Sequence, residues 1–228
     1  MSWSSDLRAE ADPIWAAIHA HPFLCELGAG TLDVKRFRYY ILQDYPYLKE
    51  FCRVLALAVS RGGRLAEMSF FAELLHATLT IEMEMHRNFC KELGISDDEI
   101  EDARLAPTAY AYTRHLLSVG TLGTQAEMLA ALLPCIVSYA EIGAALNEHP
   151  PTHAPHYQRW IATYASEPFQ EVSRQAQRVM DSLEPSVGPA ERERCWAHFI
   201  VSSRYEWQFW EMAYRQERWP LEGLGQWV

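Results

Sequence analysis

Apolar residues recur at intervals of three and four along nearly the whole chain, and the strict alternation of a half-buried strand is absent, so the pattern predicts an all-α protein. One helix is expected over residues 5–20. The stretch 28–31 then precedes a long helical run that stops at Gly62 and Gly63, and a second long helix is expected over 65–93. Ser96-Asp97-Asp98-Glu99 has the form of a capping box and opens a short helix; Pro107 starts another. A longer helix follows over about 124–147 and ends before Pro150 and Pro151. Segments 153–164 and 169–183 give two more, and Pro189 stands in the first turn of a last helix that reaches about residue 218. No internal repeat, linker or low-complexity segment breaks the series, so residues 1–228 are expected to form one domain.

Three of the predicted inward stripes are interrupted by residues that carry chemistry. In the first long run the face reads Phe37, Ile41, Asp44, Leu48, Phe51, Leu55, Ala58, with a carboxylate in the middle of an apolar row. A carboxylate buried there needs hydrogen-bond partners or a cation, because leaving it unpaired costs several kcal/mol. Tyr47 lies one turn on and adjoins the same hollow. The helix around residue 135 presents Met128, Leu132, Cys135, Tyr139, Ile142, Leu146, and the last helix presents Cys195, Phe199, Ser202, Glu206, Trp210, Ala213. Glu206 thus points inward between aromatics. Pro46 falls between Asp44 and Tyr47, and Pro134 directly precedes Cys135. A proline inside a helix removes a donor and kinks the chain, and such breaches of local rules collect at functional sites. Taken singly, Cys135 also fits core packing, Asp44 and Glu206 fit structural ion pairs, and Tyr47, Tyr112, Tyr139 and Tyr164 fit core aromatics. The joint pattern favours a site.

Composition narrows the partners. Hydrophobic residues make up 49% of the 228, enough for a sizeable core, and a formal net charge of −10 disfavours nucleic acid and anionic membrane surfaces. Small neutral or cationic ligands fit better. The five cysteines (Cys25, Cys52, Cys90, Cys135, Cys195) are scattered and contain no CxxC pair, which argues against a disulfide framework or a zinc cluster and for a reducing, cytoplasmic setting. The first fifteen residues lack an apolar leader core, and the stretch 128–140 reads as too short and too Pro-broken to span a bilayer.

The segments His21-Pro22-Phe23, Gly30-Thr31-Leu32-Asp33, Gln43-Asp44-Tyr45, Leu129-Ala130-Ala131-Leu132-Leu133-Pro134-Cys135, Ser203-Arg204-Tyr205-Glu206 and Phe209-Trp210-Glu211-Met212-Ala213-Tyr214 together resemble the TenA, or thiaminase II, family of aminopyrimidine aminohydrolases. The ordered set runs from about Trp15 to Trp219. The resemblance implies a haem-oxygenase-like helical bundle, assembled as a homotetramer, that acts without metal or organic cofactor. Its substrate would be a 4-amino-2-methylpyrimidine bearing an amine, or the thiazolium of thiamine, on the 5-methylene. The expected product is the hydroxymethyl pyrimidine of thiamine salvage. Residue by residue, the resemblance makes Cys135 the nucleophile and Glu206 the essential acid. It makes Asp44 the carboxylate that anchors the pyrimidine, and Tyr47, Tyr112, Tyr139 and Tyr164 the groups that hold the ring. Cys135 places the chain in the cysteine-containing branch.

A thiolate added to the ring lets electrons push the leaving group from the methylene, which direct displacement does not achieve under mild conditions. The acid protonates a ring nitrogen as the thiolate adds. Two other readings compete. A metal-dependent oxidase on the same scaffold is prompted by Glu73-Leu74-Leu75-His76 and by Glu82 with His86, yet a helical di-iron site takes two Glu-x-x-His motifs and the chain has one. A non-catalytic pyrimidine-binding regulator is the second; the absence of a basic stripe speaks against direct DNA binding, and the presence of both Cys135 and Glu206 speaks for catalysis.

Overall fold

The computed structural model describes residues 2–220, and among them are twelve α-helices, one π-helical turn, one 3-10 turn and no strand. The helices are α1 (Trp3–Glu10), α2 (Asp12–His19), α3 (Pro22–Ala29), α4 (Val34–Arg61), α5 (Leu65–Ala77), α6 (Met83–Glu92), α7 (Asp97–Glu101), α8 (Pro107–Leu122), α9 (Gln125–Asn147), α10 (Pro155–Ala165), α11 (Glu167–Leu183) and α12 (Pro189–Arg215). The π turn is Thr78–Glu82, between α5 and α6, and the 3-10 turn is Glu184–Ser186.

Local chemistry sets most boundaries. Asp33 caps α4 by accepting from the Lys35 amide, and Ser96 caps α7 by accepting from the Glu99 amide. Thr124 and Glu127 form the reciprocal capping box of α9. Gly30 ends α3 at φ 73°, the left-handed conformation that suits glycine.

Four expectations are corrected. The helix expected over 5–20 is two helices that meet at Ala11, because Pro13 lacks an N–H for the turn before it and restarts the helix at its own first turn. Pro22–Ala29 adds a helix opened by His21, whose ring accepts from the Phe23 amide. The helix expected over 65–93 is split by the π turn. The last helix ends at Arg215, where Gln216 turns left-handed at φ 51°.

Helix α9 is the centre of the bundle and packs most extensively on α12 and α10, then on α11 and α8. Pro134 lies within it rather than ending it, so the helix runs 23 residues. By length and composition it could cross a membrane, contrary to the reading of 128–140 as too short; in the bundle 72% of its apolar window is buried. It is therefore a core helix. From Ala126 to Ala140 every residue is buried except Cys135. Where α9 meets α10, a Cβ on Gly143 would lie 2.5 Å from the Tyr164 carbonyl carbon, so glycine is what lets the Tyr164 backbone approach.

Candidate active site

Cys135 lines a cavity beside α9. It leaves about 30 Å³ for the centres of water-sized molecules, and Asp44, Tyr47, Thr78, Glu82, Cys135, Tyr139 and Tyr164 supply its polar groups. Leu48, Phe51, Leu74, Ile136, Phe169 and Val172 supply apolar wall. A mostly apolar hollow with a few convergent polar groups is the usual form of a small-molecule site.

The stripe arithmetic explains how the residues meet. Asp44 and Tyr47 come from α4, Cys135 and Tyr139 from one face of α9, and Tyr164 from the end of α10 held close by Gly143. Pro46 and Pro134 remain inside their helices and leave the carbonyls of Leu42 and Ala130 without their usual helical donors.

Tyr112 on α8 and Glu206 on α12 are buried next to the lining residues Tyr47 and Cys135. The Tyr112 hydroxyl donates to Glu206 Oε1 at 2.6 Å, and the Tyr47 and Tyr112 rings lie 5.3 Å apart. Burial pushes the Glu206 carboxyl up to about 8; the Tyr112 hydrogen bond opposes that shift, and the charge of Asp44 adds to it. At neutral pH Glu206 therefore carries its proton. Burial, and then the Glu206 carboxylate when it is ionised, push the Cys135 thiol well above its ordinary range, while the Tyr47 hydroxyl beside it favours the thiolate.

Asp44 is held by residues that the sequence reading did not assign to the site. The Tyr40 hydroxyl donates to Asp44 Oδ2 at 3.2 Å, and Tyr40 in turn accepts from Trp160 Nε1 at 3.3 Å. Its oxygen also lies 3.3 Å from the Tyr139 hydroxyl. His86 Nε2 is 3.0 Å from the same carboxylate oxygen. Burial alone would lower the His86 pKa, but Asp44 overrides it and the imidazole is raised, as in an ion pair. A usable signal for Tyr40 was its place four residues before Asp44, on the same helix face. From spacing alone, His86 and Glu82 suggest only possible metal ligands.

The metal motif does not enter the cavity. Glu73 and His76 are exposed, and among the described residues no group of three or more His, Cys, Asp or Glu side chains is disposed to hold a metal ion. The other cysteines lie off the cavity wall: Cys25 is exposed, and Cys52, Cys90 and Cys195 are buried.

Residues 8–216 match the model of the TENA/THI-4/PQQC family. The chain belongs to this family. A relative named aminopyrimidine aminohydrolase, from Halalkalibacterium halodurans, is 39% identical over 224 residues, covering 98% of this chain and 100% of the relative. The solved structure of a TenA family transcription regulator from Silicibacter superposes with a TM-score of 0.87 at 33% identity, over 92% of this chain and 95% of that one. A Shewanella denitrificans domain with a heme oxygenase-like fold gives a TM-score of 0.72 at 14% identity, over 93% and 92% of the two chains, and shares the fold alone.

Proposed function

We propose that this family member is an aminopyrimidine aminohydrolase of the thiaminase II type. It hydrolyses 4-amino-5-aminomethyl-2-methylpyrimidine, and thiamine by the same chemistry, to the 5-hydroxymethyl pyrimidine in thiamine salvage. The observation that carries this reading is Cys135. In an otherwise buried length of the central helix, it is the one residue left partly exposed, and it lines the cavity beside Tyr47.

Asp44, oriented by Tyr40 and His86, accepts from the exocyclic amine and fixes the ring against Tyr139 and Tyr164. Glu206, protonated at neutral pH and steadied by Tyr112, gives its proton to a ring nitrogen as sulfur adds to a ring carbon. The vacated carboxylate takes the thiol proton. The net addition is S–H across the ring, so no free thiolate has to persist in a setting that disfavours it. The adduct then returns electrons from nitrogen, the methylene–nitrogen bond breaks, and the amine departs with the bonding pair. Water adds its hydroxyl to the exposed methylene, its proton remains on the ring system, and loss of the thiol restores the aromatic ring.

The same reading takes the chain as a single domain, a cytoplasmic enzyme and a homotetramer. Five free thiols suit a reducing compartment, and Leu65 and Ile81, 79% and 70% exposed, give apolar surface for self-association.

The deciding experiment compares Cys135→Ser with Ser variants of Cys25, Cys52, Cys90 and Cys195. Cys135→Ser is expected to keep pyrimidine binding while kcat falls by orders of magnitude, because serine is a far poorer nucleophile at neutral pH. The other four are expected to retain turnover. Near-normal turnover in Cys135→Ser would overturn the covalent route and leave direct activation of water by Glu206.

A further inference from the structure

Two carboxylates line the cavity, and the scheme above uses only Asp44. The other is Glu82, the last residue of the π turn. In this stretch the usual sorting of residues is inverted: Leu79 and Ile81 are 49% and 70% exposed, while Glu82 faces the cavity. A π turn takes one residue more than an α turn, so it rotates everything after it to a new face, and such bulges are frequent at functional sites. Placing an acid inward and two aliphatic side chains outward sacrifices stability, which is the mark of a position kept for another purpose.

The surroundings of Glu82 supply no lysine or arginine. Among the described residues it makes no ion pair with either, and its hydrogen bond is a long one, 3.5 Å, from the Tyr164 hydroxyl. His86 is the cationic group nearby, and it is already held against Asp44. Burial pushes the Glu82 carboxyl up to about 7; His86 opposes the shift and Asp44 adds to it. The charge of Glu82 also reaches the Cys135 thiol. Two cavity acids, Asp44 and Glu82, thus share one neighbouring imidazole, and that imidazole sits against Asp44, leaving Glu82 without a cationic partner of its own among the described residues.

We propose that Glu82 recognises the cationic leaving group of the substrate. Its carboxylate takes the charge carried on the 5-methylene: the ammonium of the aminomethyl pyrimidine, or the thiazolium nitrogen of thiamine. This rests on the function proposed above and adds to it the group that reads the leaving side. A carboxylate facing –CH2–NH3⁺ keeps the nitrogen protonated. When the methylene–nitrogen bond breaks, the pair passes to that nitrogen and neutral ammonia leaves; from thiamine the same step releases a neutral thiazole. The hydroxymethyl product carries no charge at this point, so Glu82 favours substrate over product.

The test measures binding by calorimetry in the Cys135→Ser background, which holds substrate without turnover, using the aminomethyl and the hydroxymethyl pyrimidine as probes. Glu82 intact, the aminomethyl ligand is expected to bind the more tightly. Glu82→Gln is expected to weaken the aminomethyl ligand by roughly tenfold or more and the hydroxymethyl ligand by no more than about twofold, since only the former loses a charge-assisted contact. Glu82→Asp, which keeps the charge on a shorter stem, is expected to retain part of the preference. Equal weakening of both ligands would make Glu82 a purely structural acid and overturn the proposal, as would equal affinity for the two ligands with Glu82 intact. That second comparison needs no Glu82 variant to fold. Failure to bind either pyrimidine would instead overturn the proposed function itself.

Discussion

Replacing Glu206 by Gln separates its chemical role from its structural one. Gln keeps the oxygen that accepts from Tyr112, so the 2.6 Å hydrogen bond can persist, but it has no acidic proton to give to a ring. In the native protein the carboxyl is 2% exposed and its pKa is pushed from 4.5 up to about 8. Because the folded-state value lies above the unfolded one, Glu206 favours folding most below pH ~4.5, and that contribution is lost as pH rises through about 8. At about 1.4 kcal/mol per pH unit, a rise from 4.5 to about 8 corresponds to a loss of roughly 4–5 kcal/mol as a ceiling. Urea unfolding at pH 5 and pH 9 should therefore show the variant gaining on the wild type by a few kcal/mol at the higher pH. Glu82, raised in the same sense, is present in both proteins and cancels from the difference. Turnover should behave oppositely: kcat falls on the order of a hundredfold or more in the variant, and wild-type activity declines as pH rises through about 8. A stability difference that does not change with pH, or full turnover in Glu206→Gln, would refute the assignment of Glu206 as a buried acid that holds its proton.

Asp44→Asn keeps the size but loses the charged acceptor, so kcat/KM for the aminomethyl pyrimidine should fall roughly tenfold or more; unchanged kinetics would reduce Asp44 to a structural acid. Gly143→Ala would drive a methyl group into the Tyr164 backbone, which cannot swing aside like a flexible side chain. A loss on the order of 1–3 kcal/mol is expected, read as a lower midpoint in thermal unfolding, together with weaker pyrimidine binding as Tyr164 is displaced. Activity is expected to be unchanged by a strong chelator, because the donor side chains of the cavity are disposed for proton transfer and none of the described residues form a three-ligand set; loss of activity with restoration by a specific metal would return attention to the oxidase reading.

The helical class, the caps and most boundaries follow from local rules that a sequence carries in full: the three-and-four spacing, Asp33 and Ser96 before their helices, the Thr124 and Glu127 box, and prolines in first turns. The stripes also single out Asp44, Cys135, Tyr139 and Glu206, with Tyr47 on the face adjoining Asp44, since a polar residue on an apolar face is visible from spacing alone. What spacing does not encode is the relation between helices. That Cys135 alone stays partly exposed between residues 126 and 140 depends on how the neighbouring helices close around α9. That His86 belongs to Asp44, 42 positions away in the chain, depends on the approach of α6 to α4. The π turn is the clearest instance. An uninterrupted helix over 65–93 would keep a single phase, and only tertiary packing decides to accept exposed Leu79 and Ile81 in return for a carboxylate in the cavity. Periodicity fixes which face of each helix is buried; the site arises from which buried faces meet, and that is settled by packing among residues far apart in sequence.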